Sequence, residues 1–172
     1  MDAQILIFRL QGYDFALDPA AFPPPFALDG AVLDPTPLDR ALWHYQFQQD
    51  PPKQGLLLHV GLMLGLEPFA LHEEGLLFQQ MLPGYGPLGL YLENYIQVLS
   101  KAVLAGKLRE AGELSRLPPK MPTTAIRYYY KHRGRALLLL EPERLLTSYQ
   151  IGEKGSIFDF APRLNELAGL AV

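Results

Sequence analysis

The sequence predicts a mainly β protein, and two observations carry that expectation. Sixteen prolines and fifteen glycines are spread along 172 residues, and they cut the chain into pieces shorter than an ordinary helix. Short pieces bounded by turn residues favour strands. The pieces themselves are rich in leucine, isoleucine, tyrosine and phenylalanine, which fit a pleated, half-buried surface. With 49% hydrophobic and 19% charged residues, the chain has ample material for one core and is not disordered over most of its length.

The elements follow in order. Gln4–Leu10 reads as a strand and Tyr13–Leu17 as its partner across a Gln11-Gly12 turn. Pro23-Pro24-Pro25 and Asp34-Pro35-Thr36-Pro37 are extended connectors. In Leu38–Phe47, Trp43, Tyr45 and Phe47 alternate as on one face of a strand. Gly55–Leu66 is apolar apart from His59 and reads as a buried strand entering a short turn, and Gly75–Met81 is another strand candidate. From Leu88 to Val103 two periods coexist: Leu88, Leu90 and Leu92 alternate as in a strand, while Leu88, Leu92, Tyr95, Leu99 and Val103 share a helical face. Leu104, Leu108, Ala111 and Leu114 predict a helical insert over Ser100–Leu117, weakened by Gly106 and Gly112. Ile126–Lys131 and Ala136–Leu140 read as strands around an Arg133-Gly134 turn, and Pro142 opens a short helix through Leu146. The tail holds turns at Gly152 and Gly155, then a last short helix over Arg163–Leu170.

Composition closes several functional classes. The absence of cysteine removes disulfides, thiolate zinc sites and cysteine nucleophiles. A net charge of −3 gives no general reason to bind polyanions. The start Met1-Asp2-Ala3-Gln4 lacks the basic opening of a signal peptide, and no apolar run is long enough to span a bilayer. A cytoplasmic protein without direct membrane insertion is expected. His44, His59, His72 and His132 show no ligand-like spacing, so no metal and no cofactor is expected, and the serines stand in no nucleophile elbow.

Two patterns compete for chemistry. Gly84-Tyr85-Gly86-Pro87-Leu88-Gly89 matches a dinucleotide-loop spacing, which would serve a nucleotide-dependent enzyme. Pro87 removes an amide such a loop needs, so a turn between strands is the better reading. Arg127-Tyr128-Tyr129-Tyr130-Lys131-His132-Arg133-Gly134-Arg135 interleaves cations with aromatics, as a single-stranded nucleic-acid platform does. A nucleic-acid-binding β-barrel using residues 127–135 is the alternative function. On a strand half of that segment faces inward, and edge cations also discourage unwanted strand pairing.

Three stretches taken together resemble the CheW-like family of coupling proteins and kinase regulatory domains. Ile5-Leu6-Ile7-Phe8-Arg9-Leu10-Gln11-Gly12-Tyr13-Asp14-Phe15-Ala16-Leu17 looks like its first hairpin. Gly86-Pro87-Leu88-Gly89-Leu90-Tyr91-Leu92-Glu93-Asn94-Tyr95-Ile96-Gln97-Val98 looks like its Gly-Leu-x-Val-Asp-x-Val-x-x-Val segment, with Glu93 at the aspartate. His132-Arg133-Gly134-Arg135 through Glu141-Pro142-Glu143-Arg144-Leu145-Leu146 looks like its closing strand and helix start. The likeness spans residues 3–146, leaving 147–172 as a C-terminal extension.

The resemblance implies two small five-stranded SH3-like β-barrels sharing a core, to which the helical insert over Ser100–Leu117 and the tail with its short C-terminal helix are additions. It implies no enzymatic activity. Its partners would be a histidine kinase or another CheW-like domain protein, and a receptor's cytoplasmic tip, in chemotaxis-type signal transduction. The family's middle signature is missing: Gln49-Asp50-Pro51-Pro52 and His59-Val60 stand where Asn-Leu-Arg-Gly and an aspartate are expected. That departure bears on receptor coupling more than on the fold. The expected partner-binding residues are Tyr91, Glu93, Tyr95, Arg127, Tyr129, Lys131 and Arg133.

Overall fold

A computed structural model describes residues 3–21, 26–27, 31–33, 38–47, 53–66, 76–82, 86–93, 95–114, 125–150 and 157. The proline connectors at 23–25 and 34–37, the pair Pro51-Pro52, His72, the turns at Gly152 and Gly155 and the last helix over Arg163–Leu170 lie outside them.

The protein is mainly β, built as two sheets. β1 (Gln4–Leu10) and β2 (Tyr13–Leu17) form the expected hairpin, with Arg9 opposite Asp14 and Leu10 opposite Tyr13. Gln11 and Gly12 both adopt positive φ, 48° and 81°, the conformation a tight two-residue hairpin turn requires and that glycine enters without strain. The first sheet is completed by β9 (Tyr95–Ser100), β10 (Leu108–Glu110), β11 (Tyr128–His132) and β12 (Arg135–Leu139), in the order β10-β11-β12-β2-β1-β9. The second sheet contains β3 (Phe26–Ala27), β4 (Ala31–Leu33), β5 (Leu42–Phe47), β6 (Lys53–His59), β7 (Leu76–Leu82) and β8 (Gly86–Leu92), in the order β3-β7-β8-β6-β5-β4.

Both sheets share one plan. Each has a single parallel pair at its centre, β12 with β2 and β6 with β8, flanked on either side by antiparallel neighbours. The second sheet comes from one continuous stretch, residues 26–92, whereas the first joins both ends of that stretch. Each sheet counts six strands where five-stranded barrels were expected, and among the described residues the end strands of neither sheet pair with each other.

One core lies between the sheets. Phe8, Leu10, Phe15 and Leu17 of the first sheet pack with Leu56, Leu58, Phe78, Leu90 and Leu92 of the second. Phe8 and Phe78 meet edge to face, with centroids 6.1 Å apart and planes at 87°. A smaller cluster covers the other face of the first sheet, where Ile5, Ile7, Ala16 and Leu137 pack around Leu104. This explains why β1 is apolar at nearly every position: it is covered on both faces.

The described residues also form the short helices α1 (Val60–Met63), α2 (Lys101–Leu104) and α3 (Pro142–Ser148). α3 begins at Pro142, as expected for proline in the first turn. The helix expected over Ser100–Leu117 is not formed. Its place is taken by α2, the edge strand β10 and a 3-10 turn at Ala111–Glu113. Gly106, at φ 73°, turns the chain out of α2, and pairing of Leu108 with Tyr130 outweighs the local helical spacing. The two-period stretch at 88–103 resolves as β8 and β9 followed by α2.

Candidate protein-binding surface

The sequence-expected residues separate into an interior set and a surface set. Tyr91 lies on β8, between β6 and β7, and is 0% exposed. Its ring sits 5.1 Å from that of His59, which is opposite Tyr91 in the parallel β6–β8 register. Glu93 is 7% exposed, with Oε1 3.8 Å from His59 Nε2. His59 itself caps α1, its Nδ1 accepting the N–H of Leu62 at 3.1 Å. That bond fixes Nδ1 as the acceptor and places the ring proton on Nε2. Burial pushes the His59 imidazole down to about 4, whereas a carboxylate at the Glu93 distance acts in the opposite sense.

Tyr91 therefore presents nothing to a partner, and Glu93 almost nothing. Both were expected on the surface because alternation places every second residue outward. β8 is a central strand packed on both faces, so that rule does not apply to it. Tyr129 is likewise interior, 8% exposed and part of the main core. Tyr95 stands at the start of the end strand β9, opposite Phe8.

Arg127, Lys131 and Arg133 are on the surface. Arg127 is folded back: its guanidinium lies 4.4 Å from the Tyr128 ring centre and pairs with Glu141 at 3.3 Å. The aromatic platform that single-stranded nucleic acid needs is therefore not assembled. Tyr129 is inside, and one face of Tyr128 is occupied by Arg127. The glycine-rich segment is likewise no phosphate cradle, because Gly86–Leu92 continues as strand β8, paired antiparallel to β7 from Leu82–Gly86 onward.

Other surface features were missed by the sequence reading. A cleft of about 740 Å³ is lined by Asp18, Ala21, Tyr130 and Leu139 together with Glu141, Arg144 and Thr147 around α3. The edge strand β9 exposes Ile96 (40%) and Val98 (37%). A signal for the latter existed, since Tyr-Ile-Gln-Val-Leu-Ser carries no charge. A buried carboxylate was missed as well: Asp14, 4% exposed, accepts from Arg9 Nε at 2.7 Å and pairs with Arg135 Nε at 2.9 Å. Among the described residues no group of three or more His, Asp or Glu side chains is placed to hold a metal ion. No helix among them is long and apolar enough to cross a membrane.

The sequence matches no family model, and no curated protein matches it. The structure does have a solved relative in shape: the crystal structure of the scaffolding protein TtCheW from Thermoanaerobacter tengcongensis. It superposes with a TM-score of 0.59 at 11% identity, over 85% of this chain and 93% of that one. The fold of this chain is CheW-like.

Proposed function

We propose that this chain is a non-catalytic adaptor in receptor–histidine kinase signal transduction, acting in the cytoplasm and holding a kinase by its CheW-like domain. The observation that carries the reading is the two-sheet fold shared with a scaffolding protein over most of both chains. The first hairpin and the closing strand, which resemble the family in sequence, are also the strands that pair in parallel at the centre of the first sheet. Residues 3–146 supply the adaptor domain. Beyond them, Tyr149 and Ile157 are core residues.

Of the expected contact residues, Lys131 and Arg133 carry the partner-binding role in this reading, at the opposite end of β11 from Arg127. Tyr91, Glu93 and Tyr129 support the surface from within. The Asn-Leu-Arg-Gly signature associated with receptor coupling is absent, and the proposal names the kinase as the partner. The test is a calorimetric titration of the chain with the isolated CheW-like domain of a histidine kinase from the same organism. Saturable one-to-one binding is expected. No heat and no co-elution would reject the kinase as partner.

A further inference from the structure

One end of the first sheet concentrates positive charge. β2 and β12 run parallel side by side, with Leu137 opposite Asp14. The turns that precede them, Gln11-Gly12 and Arg133-Gly134, therefore project from the same end. Both turns have two consecutive residues at positive φ, 48° and 81° in one and 51° and 75° in the other, which makes each a tight, rigid tip. Lys131 lies opposite Ala136, close to its tip, and its backbone N–H donates to the carbonyl of Lys107 at 3.0 Å.

Arg9 and Arg135 close on one carboxylate, Asp14, whose side chain is 3% exposed. Lys107 and Arg133 lie near His132, which is opposite Arg135, and Lys131 is exposed at the same end on the sheet's other face. Lys131 and Arg133 have no acidic partner among the described residues. The Lys107 ammonium approaches His132 Nδ1 at 3.4 Å, and burial together with Lys107 and Arg133 holds that imidazole below its usual range. A local surplus of this kind stands out in a chain of net charge −3.

We propose that this cationic end docks an acidic polypeptide segment of a partner protein. The proposal deepens the adaptor reading by naming the partner's chemistry, and rests on it for the partner's being a protein. Arg9 and Arg135, 43% and 50% exposed, are held in place by Asp14, and guanidinium forks fixed in this way bind carboxylates with little further loss of freedom. Nucleic acid is a poorer fit, because Tyr129 is buried and Arg127 covers one face of Tyr128. A membrane surface is a poorer fit too, since the tips offer Gln11, Gly12 and Gly134 where insertion requires apolar side chains.

The test titrates a fluorescein-labelled peptide of about ten alternating Glu and Ser residues into the full chain, at about 20 mM and about 300 mM salt. Saturable binding is expected at low salt, falling about tenfold or more at high salt. A comparable loss is expected in the Lys131→Glu/Arg133→Glu variant, with the melting temperature unchanged. The neutral pair Lys131→Gln/Arg133→Gln gives the same test with a milder perturbation. The proposal is overturned if the peptide does not bind at low salt, or if both variants bind it as well as the parent. It is also overturned if oligothymidylate or phosphatidylglycerol vesicles displace the peptide at lower concentration than free peptide does. Peptide binding combined with no affinity for the kinase domain would reject the adaptor's partner and leave the acidic-segment site standing.

Discussion

Replacing Tyr149 with phenylalanine removes a single oxygen from a side chain that ties the end of α3 to the residues leading into β5. Tyr149 is 1% exposed. Its hydroxyl donates to Asp39 Oδ2 at 2.6 Å and accepts the N–H of Ala41, itself fully buried, at 3.1 Å. Burial first, and the bond to Asp39 second, push the phenol pKa up, so the donor stays protonated at any ordinary pH. A hydrogen bond to a charged acceptor contributes about 1.5–3 kcal/mol, and leaving a buried N–H without a partner costs about 1–3 kcal/mol. The two effects share one atom and do not add fully, so we expect a loss of about 3 kcal/mol. For a chain of this size that lowers the melting temperature by roughly 6–12 °C. Urea unfolding followed by far-ultraviolet circular dichroism reads the loss as a lower midpoint at unchanged slope. Asp39→Ala, alone and combined with Tyr149→Phe, should show a coupling of about 1 kcal/mol or more. A loss below about 0.5 kcal/mol for Tyr149→Phe would refute the reasoning, because the hydroxyl would then be solvated and the clasp not formed.

Three further outcomes follow from the interior. Tyr91→Ala should cost about 3–5 kcal/mol by opening a cavity in the core, measured by the same urea titration; a change near zero would return Tyr91 to the surface. Gly89→Ala places a Cβ 2.4 Å from Leu77 Cδ2, so it should destabilise by about 1–3 kcal/mol, and adding Leu77→Val should recover part of that. His59 holds its proton less readily folded, at about 4, than at its ordinary 6.5. The unfolded chain therefore binds the proton first, and His59's contribution is complete above pH 6.5 and lost as pH falls toward 4. The loss reaches up to about 3 kcal/mol. Stability measured from pH 7 to 4 should fall less steeply in His59→Gln than in the parent, and identical slopes would show that His59 does not titrate in that window.

Local chemistry was legible in the sequence where a few neighbouring residues decide it. Gln11-Gly12 and Arg133-Gly134 announce their hairpins because a two-residue turn needs positive φ, and Pro142 announces α3 because its missing N–H costs nothing in a first turn. The insert was misread because Leu104, Leu108 and Ala111 have helical spacing but separate destinations. Leu104 joins the smaller cluster, Ala111 joins the main core, and Leu108 is 41% exposed on an edge strand. Which face of β8 meets solvent was not legible either. Leu88, Leu90 and Leu92 alternate with Tyr91, yet both sets are buried because β6 and β7 flank the strand and both its faces are covered. The parallel pairing of β2 with β12 joins residues from opposite ends of the chain, and no local pattern encodes it. The Asp14 cluster and the cationic end follow from that pairing, so they emerge only with the fold.

The most direct test of the adaptor reading is backbone hydrogen exchange of the full chain, with and without the CheW-like domain of a histidine kinase. Slowed exchange at the tips 11–12 and 131–135, with the second sheet's interior unchanged, is the result this account predicts. Unaltered exchange throughout, at concentrations where the kinase domain is in excess, would contradict it.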